Sequence, residues 1–228
     1  MHLLLILVPF AFSLWASIWV KTTFNKYSEK SSTGGITGAQ ASKMLLERNG
    51  VYDVRIEKTS GKLSDHFDPK HKVIRLSEEV YSGSSPASVG VACHEAGHAL
   101  QYAKGYFPIK LRAAIIPVTN IGSQLALPLI ILGMILSEYS LKYYNLVYVG
   151  IICFALVAFF QLVTLPTEFN ASRRAVECIL QYNILNESET AKTKKVLTAA
   201  ALTYVAALAA SLAQVLRLLL IFGGRRRD

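Results

Sequence analysis

The sequence predicts a mainly α-helical integral membrane protein, with four transmembrane helices and a small α+β zincin-like cytoplasmic domain between the first and the second. Three observations favour this fold class. The chain is 52% hydrophobic, and its apolar residues are concentrated in four long stretches. The segment between the first two stretches is polar and carries most of the basic residues. The same segment contains a His-Glu-x-x-His pattern at residues 94–98.

The four apolar stretches are predicted to be transmembrane helices at residues 1–20, 113–136, 146–165 and 196–222. Each contains at least 18 successive residues without a charge, enough to cross a hydrocarbon core of about 30 Å. The first stretch is predicted to be a retained anchor rather than a cleaved signal peptide. No basic residue precedes it, and no small-residue cleavage site follows it.

The net charge of +9 is attributed to loops that set the membrane topology, and nucleic-acid binding is not expected. Residues 21–112 hold 14 of the 24 basic residues, whereas the 137–145 loop holds only Lys142. Basic loops stay in the cytoplasm, so 21–112 and 166–195 are predicted to be cytoplasmic in a multi-pass protein of the cell membrane, with the N-terminus outside. The arginines at 225–227 oppose this orientation. Either the last helix does not cross fully, or the whole orientation is inverted.

The predicted cytoplasmic domain, residues 21–112, begins with a polar linker that extends to residue 35. A short capped helix is expected at 37–50, and alternating apolar residues predict strands at 51–57 and 72–76. Two interpretations of residues 62–76 stay open. They form either an exposed edge that binds an extended peptide or a hairpin that only shields the neighbouring helix.

The His-Glu-x-x-His pattern lies in a predicted helix at residues 86–105. Ser85 suits the N-cap, Pro86 suits the first helical position, and Gly105 suits the residue that ends a helix. The pattern is therefore expected to lie on a regular helix, where its spacing has a chemical meaning.

His94 and His98 are four residues apart and share one helix face, where both imidazoles can bind one metal ion. Glu95 points about 100° away from His94, near enough to reach a water on that ion without occupying a ligand position. Zinc lowers the pKa of such a water to roughly 7, and a carboxylate then acts as the general base for attack on a carbonyl. The pattern predicts a hydrolase with one Zn²⁺ per chain.

A catalytic zinc site needs a third protein ligand and an open position for water. That ligand must lie on the same side of the bilayer as the two histidines, so an even number of spans must intervene. Glu168 meets this condition, because the second and third spans form a hairpin. It follows Pro166, where a new helix is predicted within the 166–195 segment. Glu177 is the competing carboxylate.

Four short runs of residues, one of which includes the motif, form a larger pattern. They are HEAGHALQ at 94–101, SDHFDP at 64–69, NIGS at 120–123 and LPTEFNASRRA at 165–175. Together and in this order they resemble the YugP-like neutral zinc metallopeptidases, which are bacterial membrane proteins. The resemblance covers nearly the whole chain. It implies zinc ligands at His94, His98 and Glu168, with Glu95 as the general base.

A more distant similarity connects the chain to the heat-shock membrane zinc proteases of the gluzincin type. Their glutamate ligand is followed four residues later by an aspartate that supports a histidine ligand. Ser172 stands at that position here, so Asn170 and Ser172 are the candidates for such support. Candidates for contacting substrate or the transition state are His66, Arg173 and Arg174. The turn around His66 is interpreted as a solvated turn rather than a second metal site; its other polar members are Asp65, Asp68 and His71.

The leading hypothesis is a membrane-embedded zinc endopeptidase that cleaves protein or peptide substrates at or near the membrane, with the lipid bilayer as its other partner. The alternative is a non-proteolytic membrane scaffold with a structural zinc site. Such a site has no need of Glu95 and closes its fourth position with a protein ligand. A transporter is less well supported, since only the last predicted span holds a charge, at Arg217. The oligomeric state is left open.

Overall fold

A computed structural model describes residues 2–223 of the chain. Its helices are α1 (Leu4–Ser28), α2 (Gly38–Arg48), α3 (Glu78–Ser82), α4 (Pro86–Ala103), α5 (Phe107–Ser137), α6 (Asn145–Gln181) and α7 (Glu187–Phe222). A 3-10 helix covers Leu141–Tyr144, and the strands are β1 (Arg55–Thr59), β2 (His66–Asp68) and β3 (Val73–Ser77). The arginines at 225–227, which oppose the predicted orientation, lie outside the described residues.

Among residues 2–223, four helices are long and apolar enough to cross a membrane, namely α1, α5, α6 and α7. This confirms the predicted number of spans. Large apolar side chains stay exposed on these helices, including Phe10, Ile121 and Ile152. Exposed apolar surface of this extent is unfavourable in water and is expected where a helix faces lipid.

Several helix boundaries differ from the sequence-based prediction. Helix α5 begins at Phe107 rather than at residue 113, and α7 begins at Glu187 rather than at residue 196. A linker is predicted from Lys21, but α1 continues to Ser28, because no glycine or proline interrupts it there. A new helix is predicted from Pro166, but α6 runs unbroken through that residue. Membrane helices tolerate proline because neighbouring groups satisfy the carbonyl that proline leaves unpaired. Glu168 therefore lies in the interior of α6 and not in the first turn of a new helix.

The described residues divide into two compact units, and the first contains residues 2–15, 111–165 and 203–223. Its buried apolar cluster consists of Ile130, Val147, Ile151, Leu218 and Phe222. The hydroxyl of Tyr144 donates a hydrogen bond of 2.9 Å to the carbonyl oxygen of Phe222. This unit is thus made mainly of packed apolar helix segments.

The second unit contains residues 16–110 and 166–202 and includes the sheet. The strand order is β1-β3-β2, with β1 parallel and β2 antiparallel to β3. The sequence predicts two strands, and the short β2 is a third. The sheet and helices bury one apolar cluster, whose members include Leu45, Ile74, Leu100, Ile179 and Leu197. The sheet therefore shares its core with α4, the helix that carries the His-Glu-x-x-His pattern.

Helix α4 begins and ends at the residues that the sequence indicates. The Ser88 N–H donates to Ser85 Oγ at 3.1 Å, and Pro86 occupies the first turn. Gly105, just after the helix, has a φ of +65°, which glycine adopts without strain. The hydroxyl of Thr193 on α7 donates to the Pro86 carbonyl at 2.7 Å. These contacts fix the N-terminal end of α4 in the unit.

Helices α4 and α6 approach each other closely at Gly97. A Cβ atom at this position would lie 2.6 Å from the carbonyl oxygen of Ala171. Ala171 is fully buried, so its backbone has little room to move. The approach therefore requires glycine at position 97, between the two histidines of the motif.

We expect Gly97→Ala to lower the free energy of unfolding by about 1–3 kcal/mol, because α4 and α6 would have to separate. Gly122→Ala on α5 is the matched control, since a Cβ atom there would have its nearest neighbours 3.7 Å away. Thermal unfolding of both variants in one detergent measures the difference. Equal midpoints for the parent and Gly97→Ala would contradict the close packing.

Candidate metal centre

Three side chains from α4 and α6 meet within the second unit. His94 Nε2 lies 3.3 Å from Glu168 Oε2, and His98 Nε2 lies 3.5 Å from the same oxygen. The candidate ligand atoms of all three residues lie within 4.8 Å of one another. Glu168 is 2% exposed and His98 is 7% exposed. The three side chains form a possible metal site that is largely shielded from bulk water.

The spacing of these atoms fits a zinc ion. Ligand atoms about 2.0–2.1 Å from a tetrahedral zinc ion lie about 3.3–3.4 Å apart. The two distances from Glu168 match this separation. Two imidazoles and one carboxylate are also a ligand set that zinc favours. Within residues 2–223 the group has three members, which leaves a fourth position for water.

The electrostatics of the pocket favour a positive charge. Burial alone would lower the pKa of His98, because it disfavours the charged imidazolium. The hydrogen bond to Glu168 and the charges of Glu95 and Glu168 outweigh burial and raise the pKa of His98 above its ordinary value. A pocket that draws a proton onto a buried histidine also favours a metal cation at the same place.

Each histidine has a polar partner on the side away from Glu168. His94 Nδ1 lies 3.0 Å from Ser172 Oγ. His98 Nδ1 lies 3.0 Å from Oε1 of the fully buried Gln101. Of the two predicted supporting residues, Ser172 thus contacts a histidine directly. Asn170 instead accepts a hydrogen bond of 3.0 Å from Gln101 Nε2.

Gln101 is a residue of the site that the sequence-based candidates omit. It lies three residues after His98, so both share a face of α4. A polar residue at that position on a helix with few other polar residues is a usable signal. The sequence does not indicate which residues Gln101 contacts, because Thr167 and Asn170 lie more than sixty residues away.

Glu95 is buried on α4 with 9% of its surface exposed. It is outside the group of three candidate ligands. Its charge nevertheless acts on His98, whose pKa it raises. A carboxylate in this position is near the candidate metal centre and free of a ligand role.

The two candidate arginines on α6 have other partners. Arg173 is mostly exposed and lies 3.8 Å from Glu177, one turn along the helix. Glu177, the competing third ligand, is therefore on the solvent-exposed face of α6. Arg174 Nε donates a hydrogen bond of 2.7 Å to Asn170 Oδ1, and its guanidinium lies 6.0 Å from the Tyr106 ring centre.

The polar segment around His66 is not the solvated turn that the sequence predicts, because His66–Asp68 form strand β2 and the turn follows at residues 69–72. Hydrogen bonds within the segment and to β3 hold its side chains in place. Asp68 accepts hydrogen bonds from His71 Nδ1 at 2.6 Å and from Arg75 at 3.0 Å. These bonds hold the pKa of Asp68 well below its usual value. Asp65 accepts a 2.7 Å bond from the backbone N–H of the last β3 residue, and His66 itself is exposed. Within the described chain, these residues do not gather into a group of metal ligands.

Comparison with known proteins identifies the family of the chain. A family model described as "Putative neutral zinc metallopeptidase" matches residues 2–223. A curated relative, "Putative membrane protease YugP" from Bacillus subtilis (strain 168), is 45% identical over 222 residues, which cover 97% of this chain and 96% of the relative. No solved structure gives a significant match. Because the family match extends over nearly the whole chain and confirms the resemblance in the motifs, the protein belongs to the family described as "Putative neutral zinc metallopeptidase".

Proposed function

We propose that this protein is a membrane-embedded zinc metalloendopeptidase that hydrolyses peptide bonds of protein substrates at or near the membrane. The observation that carries the proposal is the meeting of His94, His98 and Glu168, with Glu95 buried on the same helix as the histidines. These three side chains would hold one Zn²⁺ per chain. Family membership supports zinc and peptide substrates, and the four apolar helices support the bilayer as the other partner.

The residues have distinct roles in this proposal. Zinc bound here would acidify water and polarise a peptide carbonyl. His94 and His98 direct Nε2 toward the ion, and Glu168 offsets its charge. Glu95 takes a proton from the water that attacks the carbonyl carbon. It returns that proton to the amine nitrogen as the C–N bond breaks, which yields a carboxylic acid and an amine; transfer of the acid proton to the amine then gives a carboxylate and an ammonium group.

Strand β2 is the candidate for contact with the substrate. It forms one edge of the sheet, and Phe67 packs against Tyr102 of α4 with ring centres 5.8 Å apart. Tyr102 is one helical turn beyond His98, so β2 borders the motif helix near the candidate ligands. An extended peptide would add to this edge through main-chain hydrogen bonds. This arrangement favours the substrate-edge interpretation of residues 62–76 over a hairpin that only shields the helix.

A membrane scaffold with a structural zinc site is the second candidate. Structural zinc sites fill all four positions with protein ligands and do not use a general base. The group of three candidate ligands among residues 2–223 and the buried Glu95 favour a hydrolase over a scaffold.

We also propose that the site faces the cytoplasm. The supporting observation is the excess of basic residues in 21–112 over the 137–145 loop. Helices α5 and α6 are joined by a short connection at 138–144, so two successive spans would cross in opposite directions. The chain would then return to the side from which it started before it reaches Glu168.

Glu95→Gln is expected to retain zinc and to lose peptide hydrolysis by at least about 100-fold, because a general base typically contributes 10²–10⁴-fold. Metal analysis of the purified protein and cleavage of an unfolded protein substrate measure the two properties. Glu177→Gln, which changes an exposed carboxylate, is the control and should match the parent. Undiminished cleavage by Glu95→Gln would refute the catalytic role and favour the scaffold.

Glu168→Ala is expected to weaken zinc binding by more than 100-fold. Loss of a ligand should exceed the 10–100-fold effect that is typical of groups behind the ligands. Glu177→Ala should bind zinc as the parent does. Competition with a chelator of known affinity measures both constants. Zinc affinities of Glu168→Ala and Glu177→Ala that do not differ would remove Glu168 from the ligand set.

The proposed orientation predicts a labelling pattern. In intact cells, a membrane-impermeant maleimide should modify Tyr139→Cys but leave Ser60→Cys unmodified until the membrane is opened. Both parent side chains are exposed in the structure, so access depends on the side of the bilayer. The parent, with Cys93, Cys153 and Cys178, provides the background. The reverse pattern would establish the inverted orientation.

A further inference from the structure

We infer that Gln101 is a positioning residue that fixes the tautomer of His98, and that Asn170 and Arg174 fix the orientation of the Gln101 side chain. This inference rests on the proposed function, because a neutral histidine binds zinc through a ring nitrogen that carries no proton. The site therefore requires more than the presence of His98. It requires the proton of that ring to be on Nδ1.

Arg174 determines the direction of donors and acceptors in the hydrogen-bond network. A guanidinium has only donors, and Arg174 Nε donates to Asn170 at 2.7 Å. Asn170 must present its carbonyl oxygen to that donor. The same oxygen is then the atom that faces Gln101, at 3.0 Å.

The amide of Gln101 has only one satisfactory orientation. Its Nε2 donates to the Thr167 carbonyl at 2.8 Å and to Asn170 Oδ1 at 3.0 Å, and both partners accept. A flipped amide would place the Gln101 oxygen against two acceptors. Gln101 is fully buried, so water cannot relieve that conflict. The partners determine which end of the amide is oxygen.

The consequence reaches His98. Gln101 Oε1 lies 3.0 Å from His98 Nδ1 and can only accept a hydrogen bond, so Nδ1 must carry the proton. In the neutral ring, Nε2 then has a free lone pair, and this atom lies 3.5 Å from Glu168 Oε2 at the candidate metal centre. The hydrogen-bond network thus extends from Arg174 through Asn170 and Gln101 to His98, whose Nε2 lone pair would bind zinc.

The hydrogen-bond partner of His94 does not fix the tautomer of that ring. Its Nδ1 faces Ser172 Oγ, and a hydroxyl can donate or accept. Ser172 therefore adapts to either tautomer of His94. The fixed polarity acts on His98 alone, which makes Gln101 more than a general packing residue.

Two substitutions of Gln101 separate a positioning role from a structural one. Gln101→Leu removes the acceptor for His98 and is expected to weaken zinc binding by about 10–100-fold. Gln101→Glu keeps that acceptor but loses the donors to Thr167 and Asn170. It is expected to lower the thermal midpoint while it keeps zinc affinity within about threefold of the parent. A residue that served only to join α4 to α6 would lose zinc affinity in both variants.

Nitrogen-15 spectra of metal-free protein with labelled histidine, recorded at a pH high enough for His98 to be neutral, give a second readout, with the His98 signals assigned by their loss in His98→Ala. The parent and Gln101→Glu should show His98 protonated on Nδ1, whereas Gln101→Leu should show a mixture of tautomers. Arg174→Gln should enlarge the Nε2-protonated fraction, and Arg173→Gln on the exposed face should match the parent. An unchanged His98 signal in Gln101→Leu, or equal zinc loss in Gln101→Leu and Gln101→Glu, would overturn the inference. A parent that binds zinc but cleaves no peptide would overturn only the proposed function.

Discussion

The close approach of α4 to α6 is the constraint on which the candidate site depends. A Cβ atom at position 97 would lie 2.6 Å from the carbonyl oxygen of Ala171, and this close approach lies between the two histidines on one helix and just beyond Glu168 on the other. Zinc sites tolerate errors of only about 0.2 Å in ligand distance. A side chain at position 97 would therefore disturb the metal geometry even if the fold survived. The glycine within the motif serves the site as directly as the histidines on either side of it.

A buried carboxylate beside two imidazoles also makes the site favour a positive charge. Glu168 is almost fully buried, and a buried charge is unfavourable unless it is paired. In the metal-free state His98 supplies part of that pairing, which is why its pKa is raised. A metal ion would take over this role and displace the proton. Binding and folding are then linked, since an ion that binds only the folded chain stabilises it.

Sequence reasoning is reliable for those parts of the molecule that local chemistry determines. The four apolar spans follow from run length, and Ser85 and Gly105 mark the ends of α4 because caps depend on neighbouring residues. The unbroken course of α6 through Pro166 is not predictable in this way, since it depends on groups elsewhere in the fold. The residues that Gln101 contacts cannot be predicted from the sequence for the same reason. Spacing shows that this side chain faces the same way as His98, but only the packing of α4 on α6 shows what it meets.

The regular helical spacing of α6 after Pro166 explains why the candidate ligand and its supporting residues act together. On α6, Glu168 and Ser172 are one turn apart and both face His94. A second row at helical spacing consists of Thr167, Asn170 and Arg174. The Thr167 carbonyl and Asn170 accept hydrogen bonds from Gln101, and Arg174 donates to Asn170. On α4, His94, His98 and Gln101 form the complementary row. Because each row lies on one regular helix, a single register between α4 and α6 sets every contact at once.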